Sequence, residues 1–148
     1  MSVERLTVVG LGLIGGSIAA AARRAGVRRV RAVDPDPETL GFAVAENIAD
    51  EALGPDAAEA AGWFTGDAAD LIVLGTPVAA TVEWMKRLAV SGFTGVVSDV
   101  SSTKRAVVEA AESAGSRYRF VGGHPMAGSE RSGVTAASAP LFQGAYYI

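Results

Sequence analysis

Leu6–Val9 is a short β-prone apolar run that passes without a break into Gly10-Leu11-Gly12-Leu13-Ile14-Gly15, and an alanine-rich, helix-compatible stretch follows at once. No other feature of the chain narrows its possible folds as far. The first glycine permits a tight turn out of a strand. The second presents bare backbone, and the third lets a helix lie close against the strand it has just left. A second β-prone stretch, Val30–Val33, interrupted only by Arg31, runs up to Asp34, nineteen residues beyond Gly15.

The same alternation continues along the chain. Strands are expected at Leu6–Val9, Val30–Val33, Leu71–Leu74, Val96–Asp99, Phe120–Gly122 and Ala145–Ile148. Helices are expected near Ile14–Ala25, Pro37–Glu46, Val78–Leu88 and Ser102–Ala114, with weaker candidates near Asp56–Ala61 and Glu130–Ser138. Continuous Val/Ile/Leu runs are the mark of strands buried on both faces. The pattern therefore predicts an α/β fold: a doubly wound, mostly parallel Rossmann sheet with helices on both faces. The stretch Ala52–Asp67, broken by Gly54-Pro55 and Gly62, reads as a surface connection with a short helix.

At 148 residues the chain has the size of one domain, and 49% apolar with 20% charged residues excludes a disordered segment. A formal charge of −3 argues against a nucleic-acid partner. With no cysteine there is no disulfide framework or thiol chemistry, and no cluster with metal-ligand spacing is apparent. Leu6–Ala22 superficially has the look of a secretory leader, but it holds four glycines and lacks a basic start. A cytoplasmic protein with no membrane partner is the expectation. The strand that closes on the last residue suggests a natural chain extending beyond Ile148.

In such a fold the glycine loop cradles a pyrophosphate, with Gly10, Gly12 and Gly15 in the roles above and free amides at the helix start, Leu13 and Ile14 among them. The Asp34 carboxylate can accept both ribose hydroxyl protons and would repel a 2′-phosphate; Pro35-Asp36-Pro37 brings no arginine to hold one. NAD is thus expected as cofactor rather than NADP. Thr76 and Pro77 follow the Leu71–Leu74 strand, at the sheet edge where ligands bind. Thr76 is expected to touch the cofactor through its backbone, although Pro77 also suits a helix start. Two further segments belong to that edge: Asp99-Val100-Ser101-Ser102-Thr103-Lys104, and Gly122-Gly123-His124-Pro125-Met126-Ala127-Gly128-Ser129-Glu130. His124 is the only histidine. A histidine is half ready to take a proton near neutral pH, and the glycine pair before it allows close backbone approach. Asp99, Ser101 and Ser102 are also candidate helix caps, and Lys104 and Glu130 have the bland reading of first-turn residues.

GLGLIGGS (Gly10–Ser17), DVSSTK (Asp99–Lys104), GHPMAGSE (Gly123–Glu130) and then Leu141-Phe142-Gln143-Gly144-Ala145-Tyr146 resemble, in order and spacing, the prephenate/arogenate dehydrogenase family of tyrosine biosynthesis. A different Rossmann oxidoreductase would share the glycine loop but leave GHPMAGSE unexplained. The resemblance implies NAD-dependent oxidative decarboxylation of prephenate to 4-hydroxyphenylpyruvate, with an arogenate or dual-specificity cyclohexadienyl dehydrogenase as the alternative. It implies His124 as the base that takes the ring hydroxyl proton, and Ser102 as the hydroxyl that orients substrate and base. It further implies Glu130, with Ser129 and Gly128, at the substrate pocket, and Ser101 among the cofactor contacts. Ser101 departs from the family's usual glycine, which matters only if the backbone there needs a positive φ. Family members continue into a helical domain that forms a homodimer and supplies basic residues for the substrate's carboxylates. A non-catalytic NAD-binding module is the rival expectation, since no such domain is present in these residues.

Overall fold

The computed structural model describes residues 2–115 and 118–148. Six parallel strands form one sheet: β1 (Arg5–Val9), β2 (Arg29–Val33), β3 (Glu51–Leu53), β4 (Leu71–Leu74), β5 (Val96–Asp99) and β6 (Arg119–Val121). Their order across the sheet is β3-β2-β1-β4-β5-β6. The chain starts in the middle, builds outward to β3, crosses back and builds outward again. That reversal between β1 and β4 is where ligands bind in doubly wound sheets.

Among the described residues five helices connect the strands: α1 (Leu13–Arg24), α2 (Pro37–Ala45), α3 (Pro55–Ala60), α4 (Val78–Ser91) and α5 (Arg105–Ser113). Because side chains alternate along a strand, β1, β2 and β4 each feed two separate cores. Leu6, Val8, Val30, Ala32 and Val73 join Ala19 of α1 and Ala43 of α2 in one layer. Val9, Val33, Ile72, Leu74 and Val97 join Trp84, Met85 and Leu88 of α4 and Val107 of α5 in the other. Helices on both faces, expected from the continuous apolar runs, are what these strands require.

Four expectations need correction. The stretch Ala52–Asp67 holds the expected short helix, as α3, but is no mere surface connection: it begins within β3 at the sheet edge and carries the buried aromatics Trp63 and Phe64. Phe64 packs on Trp84 with ring centroids 4.9 Å apart, and the Arg31 guanidinium lies over Trp63. A three-residue edge strand is too short to show a period. Second, Ala145–Ile148 does not enter the sheet. It runs antiparallel to residues 124–126, with His124 and Ile148 exchanging N–H···O bonds of 2.7 and 3.0 Å. Third, the helix expected from Ser102 starts at Arg105, because side-chain and backbone bonds hold residues 99–104 as a loop. Fourth, the helix expected at Glu130–Ser138 is replaced by two 3-10 turns, Val134–Ala136 and Ala139–Phe142, the first entered through Gly133 at φ 81°. Both turns lie against α1: a Cβ on Gly16 would come within 2.8 Å of that of Ala137, and buried Ser17 accepts from Ser138 N at 2.8 Å. Among the described residues no helix is long and apolar enough to cross a membrane.

The start of β1 is tied to β4 by Asp70, whose carboxylate accepts from Glu4 N, Arg5 N and the Arg5 guanidinium. The Arg5 hydrogen bond holds the Asp70 carboxyl below the usual carboxylate range, against a smaller opposing effect of burial. A carboxylate depressed in the folded state contributes stability above its unfolded pKa of about 3.9 and loses it as the pH falls through the lower folded value. Asp70→Asn is therefore expected to cost about 1 kcal/mol at pH 7, the group being partly solvated. Urea midpoints measured at pH 7 and below pH 4 should show the penalty shrinking in acid. A penalty independent of pH would refute the assignment.

Candidate active site

The register brings the sequence-predicted residues level. Val9 stands opposite Val33 and Leu74, Leu74 opposite Asp99, and Ser98 opposite Val121. The next residues of each strand, Gly10, Asp34, Gly75, Val100 and Gly122, therefore leave the sheet along one carboxyl edge.

Gly10 takes φ 88°, a left-handed turn open to glycine. The helix it leads to lies so close that a Cβ on Gly15 would fall 1.9 Å from the Gly10 carbonyl oxygen. Gly12, the residue that caps α1, behaves in the opposite way. A Cβ there would meet nothing within 4 Å, and no side chain caps the helix. The first amides of α1, including those of Leu13 and Ile14, thus open onto free space beside bare backbone, which is the shape and polarity a phosphate needs. Asp34 accepts from Leu11 N at 2.9 Å and from Asp36 N at 2.9 Å. One bond per carboxylate oxygen secures the loop and leaves acceptor capacity for hydroxyl donors. A dinucleotide fits these residues.

Thr76 spends its hydroxyl on Thr81, at 2.9 Å, and Pro77 directly precedes α4. Ser101 has its N–H on Asp99 and a buried hydroxyl that finds no partner among the described residues. Asn47 is the one described non-glycine residue with positive φ, so serine for glycine at position 101 carries no backbone strain. Ser102 is exposed and caps nothing. His124 is half-buried, with Nδ1 3.2 Å from the Val100 carbonyl. A carbonyl can only accept, so Nδ1 carries the proton and the neutral ring offers Nε2 as its basic nitrogen. Gly128, Ser129 and Glu130 lie on an exposed loop, where Ser129 Oγ accepts from Arg131 N at 3.0 Å. Glu130 has no hydrogen-bond or ion-pair partner among the described residues, and the structure does not bring it into bonded contact with His124.

Sequence reasoning passed over two residues. Lys104 is no solvated first-turn residue: its ammonium sits on buried Asp99 at 2.6 and 2.7 Å and reaches the Gly123 carbonyl. Tyr147 lies against Gly123, where an added Cβ would come 2.0 Å from its ring, and donates to the Asp99 carbonyl at 3.1 Å. The close approach permitted by the glycine pair is thus by a side chain of the protein itself. Among the described residues no group of His, Asp and Glu could hold a metal.

A doubly wound parallel sheet with this glycine loop and an acidic end to β2 defines a Rossmann-type nucleotide-binding domain of the dehydrogenase class. The family model described as prephenate dehydrogenase, nucleotide-binding domain, matches residues 18–148, and the chain belongs to that family. The match begins after the glycine loop, which is therefore separate support. The chain is similar to prephenate dehydrogenase of Bacillus subtilis, 39% identical over 98% of this chain and 38% of that protein. It is similar to the Aquifex aeolicus prephenate dehydrogenase solved with hydroxyphenyl propionate and NAD+: TM-score 0.85, 33% identity, 99% of this chain and 50% of that one. It is also similar to Synechocystis arogenate dehydrogenase: TM-score 0.82, 36% identity, 96% of this chain and 48% of that one. The chain spans half or less of the length of these relatives.

The two glycines predict opposite outcomes. Gly15→Ala should cost roughly 2–4 kcal/mol by forcing α1 off β1. Gly12→Ala should leave stability within about 0.5 kcal/mol, its Cβ meeting only solvent. Thermal melts of the two variants decide the point, and equal losses would contradict the packing described.

Proposed function

We propose that this chain is the NAD-binding, catalytic domain of a prephenate dehydrogenase, which oxidatively decarboxylates prephenate to 4-hydroxyphenylpyruvate in the cytoplasm. The observation that carries the reading is the orientation of His124. The only imidazole of the chain is anchored through Nδ1 beside the end of β5, within a GHPMAGSE segment, at the sheet edge that also presents the glycine loop.

The cofactor would be held by Gly10, Gly12 and Gly15 with the first amides of α1, by Asp34 at a ribose, and by the Thr76-Pro77 and Ser101 loops. Bound there, NAD supplies the hydride acceptor. His124 Nε2 takes the proton of the ring hydroxyl as the carbon–hydrogen bond at the same carbon gives up its electron pair. The ring carboxylate leaves as carbon dioxide, its electron pair completes the aromatic ring, and the proton returns to the ring oxygen. Aromatisation and loss of a gas drive the reaction, so the protein's task is placement and one proton transfer. Ser102 orients the hydroxyl, and Glu130, Ser129 and Gly128 border the substrate. Likeness to the arogenate dehydrogenase supports arogenate as a second substrate reading. The greater length of the relatives supports a further domain, in the same reading helical and dimer-forming, that binds the substrate's carboxylates.

The 148-residue chain is expected to bind NAD and to turn prephenate over poorly or not at all, as read by calorimetry and NADH absorbance. Failure to bind NAD would refute the reading. In the full-length protein His124→Asn should leave NAD affinity nearly intact and lower the rate roughly 10²–10⁴-fold. Unchanged turnover would remove His124 from the mechanism. Asp34→Ser should weaken NAD about tenfold or more and narrow the gap to NADP, since a charged hydrogen-bond acceptor is lost. An unmoved NAD/NADP ratio would refute the ribose assignment.

A further inference from the structure

One carboxylate reaches both loops that carry the proposed reacting groups. Asp99 is fully buried. Its Oδ2 accepts from Ser101 N at 3.0 Å, and its Oδ1 accepts from Gly123 N at 3.3 Å. The Lys104 ammonium closes on both oxygens, at 2.6 and 2.7 Å, and donates its remaining hydrogen bond to the Gly123 carbonyl. Gly123 is therefore held by both of its backbone groups, and it directly precedes His124. Ser101 directly precedes Ser102. The acceptor for His124 Nδ1 is the carbonyl of Val100, the residue between Asp99 and Ser101.

We propose that Asp99 and Lys104 are a positioning pair that fixes the tautomer and direction of the His124 ring. The inference rests on the reading of His124 as the base, and it adds what aims that base. An ammonium carries three donors and no acceptor, and here two carboxylate oxygens and one carbonyl take all three. A carboxylate with no access to water must keep its partner, because an unpaired buried charge is costly. The need to keep Asp99 paired is thereby converted into a fixed geometry for Gly123, which the Tyr147 ring and the His124–Ile148 backbone bonds hold from the other side. With Gly123 pinned, His124 has one arrangement in which Nδ1 meets the Val100 carbonyl, and Nε2 is left as the basic nitrogen.

The histidine is unique in the chain, so its ring nitrogens give unambiguous signals in ¹⁵N NMR. In the parent chain, above the pH at which the ring is neutral, Nδ1 is expected to carry the proton. The double variant Asp99→Asn/Lys104→Met leaves no charge buried. It should melt cooperatively while losing that preference, with the Nε2-protonated form rising to half or more. A folded double variant that keeps the parent's tautomer would overturn the proposal. Should the double variant not fold, the parent decides alone. Its Ser101 and Gly123 amides should exchange with solvent at least about 100-fold more slowly than free peptide, and exchange at the free rate would overturn the pair. Neither measurement depends on NAD or prephenate. A chain that passes both and binds no NAD would refute the proposed function and leave the positioning pair standing.

Discussion

Asp99 ends β5 with its carboxylate fully enclosed, and most of what surrounds it follows from that. A charge removed from water has to be met by donors. The donors available are the Lys104 ammonium and the N–H groups of Ser101 and Gly123, drawn from two loops far apart in the chain. Tyr147 adds a hydroxyl on the Asp99 carbonyl and a ring over Gly123. The loop after β5, the loop after β6 and the terminal segment are thus joined at one point, and His124 stands beside it.

That junction matters because of where the sheet puts it. Six parallel strands deliver all their carboxyl ends to one side, and the reversal between β1 and β4 opens a crevice there. The α1 helix begins at that crevice with uncapped amides, its approach to β1 made possible by the missing side chain of Gly15. A polar cradle and an oriented imidazole therefore share an edge without either having to be built from the core. The two cores, on opposite faces of the sheet, carry the cost of holding that edge rigid.

Much of this was legible beforehand, for identifiable reasons. β4 is an unbroken run of branched apolar residues, and β1, β2 and β5 each hold Val or Leu at positions that end up buried. Gly10, Gly12 and Gly15 act through the absence of a side chain, a property that a sequence displays directly. β3 was missed because three partly exposed residues at a sheet edge need no pattern. Residues 145–148 have the composition of a strand, and composition does not say which partner a strand will find. Nothing local distinguishes a lysine at a helix start from one bound, as Lys104 is, to a buried carboxylate. A signal did exist in Asp99: an acidic residue closing an otherwise apolar strand must find a cation or a set of amides.

Local chemistry along the chain was enough to settle the alternation of strand and helix, the glycine turn, the acid at the end of β2 and the lone histidine after a glycine pair. Each depends on residues within a few positions of one another, where sterics and hydrophobic period leave few choices. What the folded chain alone decided are the meetings between distant segments: Lys104 with Gly123, Tyr147 with Asp99, the histidine ring with Val100, and the terminal residues laid beside 124–126 instead of in the sheet. Those are pairings of hydrogen-bonding groups that water would satisfy equally well, and they form where the fold gathers these segments around the buried Asp99 carboxylate.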